Sequence, residues 1–283
     1  MLVVDFMHEV KLGVWKTLFT HLIRILYKTA PNGKTVALLD ERYAANLLRI
    51  NIELTYNRFH QVSQFGETIC QFSNNVSEMK KLAACDYEDL LQVRTFPLVK
   101  LRDALTSPQC SIPAFEGLLK EPHNRRLMKL LFWTAEWHSF AKLRMHTVST
   151  LDHLETLTKD FGKLMRQFHN LTCLAFPTFE LPCEVEARKR QLQHAQTKIS
   201  GSKRKPKKVS ASTSSSTDTH CHAPPPESMP AISSTPSSRK PKMLNIMTPK
   251  FHFLGDYIQT IWMFGCTDSF STQIVWKYSS LYT

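Results

Sequence analysis

A mainly α-helical protein interrupted by one disordered basic linker is the fold class that three observations predict. Long stretches repeat apolar residues at three- and four-residue steps, and the opening run Leu2-Val3-Val4 reads as a short strand. Between 200 and 243 the composition collapses to Ser, Thr, Pro, Lys and a few others. With 283 residues and 42% hydrophobic content, the chain can bury a core of one or two domains.

The apolar start ends on Asp5, and His8 follows three positions later. A buried strand that ends this way holds a carboxylate rigidly toward a metal and leaves room for a substrate. Asp5 is a candidate metal ligand and catalytic acid, with His8 beside it to orient a phosphate or bond to the acid, and an ordinary helix cap with a buried His is the plain alternative. From 9 to 28, Val10, Val14, Leu18, Leu22, Ile25 and Leu26 recur at helical spacing, and Pro31-Asn32-Gly33 ends the helix. The apolar segment from Val36 to Leu54 carries Arg42, Arg49 and Glu53, which leaves helix and strand open. Asn75-Val76-Ser77-Glu78 sets a capping side chain three residues before a Glu, and predicts a helix over 76–92.

Residues 93–111 read as an irregular connection. Leu127, Leu130, Leu131, Trp133, Trp137, Phe140 and Leu143 then predict a long helix from Pro122 to His146. Leu151, Leu154, Leu157, Phe161, Leu164, Phe168 and Leu171 predict another over 150–174, so these elements pack as helices and not as a sheet. Pro182 opens a last helix, with Glu184 and Glu186 early and Arg188-Lys189-Arg190 later, as the helix dipole favours. Residues 200–243 have too few large apolar side chains to offset their ordering entropy and are expected to be disordered. The chain turns apolar and aromatic again from Thr248 to Tyr257.

A net charge of +12 points to a polyanionic partner, of which nucleic acid is the commonest. About half of that excess lies between 201 and 242, where Lys203, Arg204, Lys205, Lys207 and Lys208 form a compact cluster. The cluster suits nuclear import or a nucleic-acid-binding tether, and a solubilising charge run is the plain alternative. The seven cysteines are odd in number, none are at ligand spacing, and no cleavable signal is visible, so free thiols in a reducing compartment are expected. Lys, His and Arg break the longest apolar stretches, and no membrane span is expected.

Several site types are excluded or weak. There is no glycine-rich phosphate loop. His8-Glu9 lacks the second histidine of a zincin, because Leu12 stands at that place. His220-Cys221-His222 lies in a tract that cannot preorganise a metal site. Asp152-His153-x-Glu155 reads as a solvated helix face, and Trp133, Trp137, His138 and His146 read as core.

Longer words carry a resemblance. Val4 to Glu9 with Leu12 to Lys16, Phe72 to Lys81, Ala135 to His138, Ala141 to Thr147 and Thr248 to Tyr257 resemble the Plavaka-type transposases of fungi, relatives of the CACTA DNA transposons. The likeness covers most of residues 2–273 apart from the linker. It implies a cut-and-paste transposase with an RNase H-like α/β catalytic domain and a DDE-type acidic triad on Mg²⁺ or Mn²⁺. DNA transposon ends would be its partner and the nucleus its compartment. Asp5 then looks like the second acid of the triad, with His8 its accompanying histidine. The implied organisation is a strand-helix remnant over 1–28, a helical insertion over 29–199, the linker over 200–243 and a C-terminal remnant of the catalytic region over 244–283.

The departures bear on activity. The first acid of the family pattern would lie upstream of Asp5. The third, a Glu, would follow the word Gly265 to Gln273, but no acid follows Asp268. Residues 93–109 also look foreign to the family. The expectation is a transposase-derived protein that lacks autonomous cleavage. The alternative is a non-catalytic helical module that binds nucleic acid or a protein partner.

Overall fold

The computed structural model describes residues 4–30, 32–44, 75–79, 82–91, 111–201 and 239–272, the side chains of 195–201 excepted. Among these residues the protein is mainly helical, and the only β pairing is an isolated antiparallel bridge between Phe179 and Pro241. The expected helical class holds. The remnants of an RNase H-like sheet are not among the described elements. Residues 4 and 5 are irregular, and the chain is helical from Phe6 onward. Asp5 therefore heads a helix, and Leu2 and Val3 of the expected strand lie outside the described residues.

That helix opens as a π-helical segment, Met7–Trp15, and continues without a break into α1, Lys16–Thr29. Residues 21–26 of α1 are buried on every side, so it is the central helix of the fold. Helix α2 spans 34–44. Its Tyr43 joins Phe19 and Phe115 in edge-on aromatic contacts at 6.2 and 6.4 Å. Arg42 reaches the carbonyls of Ala114 and Glu116 at 3.1 and 2.5 Å, which closes the end of the short helix α4, Ser111–Phe115.

The helix expected over 76–92 is replaced by a turn and a shorter helix. Val76–Glu78 forms one 3₁₀ turn, and Met79 then adopts the left-handed conformation at φ 52°. Asn75 makes no side-chain cap. The Asp40 carboxylate instead holds Ser77 through its N–H at 2.9 Å and its hydroxyl at 2.6 Å. That long-range pair fixes the turn, and the helix α3 starts later, at Ala84–Leu91, with Asp86 accepting the N–H of Ala83 at 2.6 Å.

Helices α5, His123–Ala141, and α6, Val148–Leu171, pack side by side as expected, although α5 ends five residues before His146. Thr147 caps α6 in a reciprocal box with Thr150. Across the pair, Trp137 Nε1 donates to Thr158 Oγ1 at 2.8 Å. The short helix α8, Pro249–His252, a 3₁₀ turn at Phe253–Asp256 and α9, Tyr257–Phe264, then lead back to the N-terminal helix.

Contacts divide the chain into one compact unit of 1–179 with 241–283 and a second of 180–240. In the second, α7 spans Pro182–Gly201, as Pro182 and the acid-to-base order predict. Glu184 accepts the N–H of Leu181 at 2.8 Å, and Glu180 pairs with Arg188 at 2.9 Å.

Among the described residues Cys85, Cys173, Cys183 and Cys266 form no disulfide, and no helix is long and apolar enough to cross a membrane. His21 in α1 is buried with neither ring nitrogen hydrogen-bonded. Burial, with the charge of Arg24, lowers its pKa to about 4. The folded state thus keeps His21 neutral while the unfolded chain takes up a proton below pH 6.5. Stability from this position is therefore lost as pH falls from 6.5 toward 4. His21→Leu is expected to remove on the order of 1–2 kcal/mol of the loss between pH 7 and pH 5. Urea midpoints at the two pH values measure it, and parallel shifts in variant and wild type would refute it.

Candidate functional site

Asp5 is the meeting point of two segments far apart in sequence. Its backbone carbonyl accepts the N–H of Glu9 at 2.9 Å, so the helix begins on it. Its carboxylate closes that first turn as well, since Oδ1 accepts the N–H of Met7 at 3.1 Å. The rest of its capacity goes to His8 and Thr272. His8 Nδ1 pairs with Oδ2. Thr272 donates its hydroxyl to Oδ2 at 2.5 Å and its N–H to Oδ1 at 3.3 Å.

Those four donors occupy about all the acceptor positions that a carboxylate offers. Burial alone would raise the pKa of Asp5, but the hydrogen bonds from Thr272, His8 and Met7 outweigh it and hold the pKa below its usual value. Asp5 is an anion at neutral pH. An ionised Oδ2 can only accept, so Nδ1 of His8 carries the hydrogen of that bond. The His8 side chain is 47% exposed and the Asp5 side chain 16%, which turns the imidazole outward over a held carboxylate.

The folding of 249–272 creates this contact. Lys250 donates to the carbonyl of His8 at 3.1 Å, and its stem lies against Gly13, where a Cβ would come within 2.6 Å of Lys250 Cδ and 2.8 Å of the His8 carbonyl. Only glycine allows both approaches. Further on, Thr267 donates to the carbonyl of Ala141 at 2.9 Å, which anchors the 3₁₀ turn Thr267–Phe270 to the end of α5 and delivers Thr272 to Asp5.

Beneath the site, Phe6 stacks on Trp137 with ring centres 6.4 Å apart and meets Tyr257 edge-on at 5.9 Å. Lys11, 1% exposed, pairs with Glu88 of α3, which also pairs with Lys142. His138 stands 3.8 Å from the same carboxylate. Burial opposes the charge on Glu88, but the surrounding His138, Lys11 and Lys142 overcome it and bring its pKa to about 2. His138 is driven down to about 3 by burial, so it is neutral at pH 7 and the two lysines hold the anion.

Glu9 is the residue at this site that sequence reading missed. It lies one turn beyond Asp5, and its Oε2 is buried with no hydrogen-bond partner. Burial and then the charge of Asp5 raise its pKa. The expected helix starts at residue 9, whereas the structure extends it back to Phe6 and sets Glu9 one turn beyond Asp5. Thr272 and Lys250 were not singled out as site residues either.

A hard divalent cation takes oxygen ligands, and Mg²⁺ is commonly held by one or two carboxylates with several waters. Asp5 and Glu9 supply that donor chemistry, and Oε2 of Glu9 has no hydrogen-bond partner. No group of three His, Cys, Asp or Glu able to hold a metal exists among the described residues. A cation on Asp5 would have to replace contacts that Thr272 now makes.

The other sequence candidates separate. The cluster Lys203, Arg204, Lys205, Lys207 and Lys208 lies outside the described residues. Asp152 and Glu155 are exposed on α6, Trp137 and His138 are core, and His153 sits 3.7 Å from Glu136. Comparison with known proteins finds no matching family model, no matching curated protein and no matching solved structure.

Proposed function

We propose that this chain is a transposase-derived, DNA-handling protein of the nucleus in which Asp5 is one acid of a divalent-metal centre. The contact of Thr272 with both oxygens of Asp5 carries the reading. The word that opens the sequence and the word that ends on Gln273 are those expected to flank a family active site, and they meet at one carboxylate. His8, oriented by Asp5, would steady a phosphate oxygen or a proton through Nε2. Asp5 and Glu9 would hold the ion, which when bound supplies activation of an attacking water or 3′-hydroxyl. A polypeptide of these 283 residues alone is expected not to cut DNA, since such chemistry needs further acids around Asp5.

The expected result is a luminescence signal from Tb³⁺, sensitised by nearby aromatic rings and displaced by Mg²⁺. It should fall at least about tenfold in Asp5→Asn and more modestly in Glu9→Gln. Equal Tb³⁺ binding by wild type and Asp5→Asn would sink the metal-centre reading. Cleavage of a terminal-repeat duplex by the purified chain, lost in Asp5→Asn, would overturn the expectation of inactivity.

A further inference from the structure

The side of the α5–α6 pair carries a cleft of ≈ 330 Å³ lined by Pro122, Arg125, Arg126 and Lys129 on one wall and Leu164, Gln167 and Phe168 on the other. Its chemistry is one-sided, with three cations and no carboxylate in the lining. None of the three cations forms an ion pair among the described residues, and Arg125 and Lys129 are exposed. The nearest acid in sequence, Glu121, is engaged elsewhere: its carboxylate accepts the backbone N–H of Arg125 at 3.3 Å and the amide of Asn124 at 3.3 Å. On the facing helix, Lys163 is paired with Asp160, so α6 contributes Gln167 as a neutral donor and the apolar edges of Leu164 and Phe168.

Three unpaired cations on one face of a helix repel one another, at a cost that an anion between them removes. Arg125 and Lys129 are one turn apart, about 6 Å along the axis, which makes a short track and not a single point. Arginine forks suit phosphate oxygens in two-point contact, and the apolar wall suits a sugar face. We infer that this α5–α6 cleft binds the phosphodiester backbone of a nucleic acid strand, through Arg125, Arg126 and Lys129. Contacts of this kind position a strand without reading its bases. The inference stands on the cleft and does not rest on Asp5.

The test uses the full chain and fluorescent duplex and single-stranded oligonucleotides of mixed sequence, titrated across a salt series. Arg125→Gln/Arg126→Gln/Lys129→Gln is expected to weaken binding about tenfold or more at low salt. It should also lower the slope of log affinity against log salt by about 2 to 3, since each lost phosphate contact removes about 0.9. A charge-keeping variant, Arg125→Lys/Arg126→Lys/Lys129→Arg, should retain the slope. A cluster variant with Lys203, Arg204, Lys205, Lys207 and Lys208 all changed to Gln separates the linker from the cleft. Unchanged affinity and slope in the cleft variant with native circular dichroism would overturn the inference. Absence of oligonucleotide binding by wild type at low salt, or binding of inorganic pyrophosphate without binding of oligonucleotides, would overturn it as well.

Discussion

Glu88→Ala is expected to lower the stability of the first unit by about 3 to 5 kcal/mol, because it strands a buried cation. Lys11 is 1% exposed and reaches Glu88, and Lys142 and His138 approach the same carboxylate from the end of α5. Burial already lowers the pKa of Lys11 against the pull of Glu88, so without the anion the ammonium has to lose its proton or draw in water. The double substitution Lys11→Met/Glu88→Leu should recover most of the loss, since a buried pair replaced together by apolar groups of similar size is often neutral. Acid provides an independent handle. The folded pKa of Glu88, about 2, lies below its ordinary value of 4.5. Its stabilisation is therefore complete above about pH 4.5 and is lost as pH falls toward 2. Urea midpoints from pH 7 to pH 3 should show a shallower acid decline in Glu88→Ala than in wild type. A midpoint within experimental error of wild type at pH 7 would show that the pair does not hold the Met7–Trp15 segment in place.

How much of this was legible in the sequence follows from the range of the forces that set each element. The helices α5, α6 and α7 were readable because periodicity and local end signals act within a few residues, as in the Pro182 start of α7. The region from 76 to 92 was misread because Ser77 is held by Asp40, 37 residues earlier, and Met79 turns left-handed behind it. A local capping signature cannot report a competing long-range acceptor. Leu2-Val3-Val4, apolar and β-branched in part, suggest a short strand, and Leu2 and Val3 lie outside the described residues. From Phe6 on, however, the chain is a helix that buries Phe6, Met7 and Val10, and Val4 just before it is buried too. The start of the helix at Phe6, before the expected residue 9, sets Glu9 one turn beyond Asp5. Asp5 and His8 were visible as a pair, and the structure does join them. Thr272 was not, since it lies 267 residues from Asp5 and threonine carries no marker of its role.

Trp137→Ala is expected to cost about 3 to 5 kcal/mol and to loosen Asp5 as well as the core. The indole is 2% exposed and is the hub of the cluster under the site, stacked on Phe6 and edge-on to Tyr257 at 5.4 Å. Truncation removes the partner of both rings and leaves Thr158 Oγ1 without the 2.8 Å bond from Nε1. Phe6 lies next to Asp5 in the first turn, so a void beneath Phe6 frees the residue on which the helix begins. The consequence should be local as well as global. Hydrogen exchange at the amides of Met7 and Thr272, both donors to Asp5 Oδ1, should accelerate more than the loss of global stability alone requires. Trp137→Phe keeps a ring against Phe6 and Tyr257 and should cost less than half as much, with those two amides still protected. If Trp137→Ala unfolds at the wild-type denaturant midpoint, or if its Met7 and Thr272 amides exchange as in wild type, then the aromatic cluster does not support the site. Asp5 would then be held by its own hydrogen bonds alone.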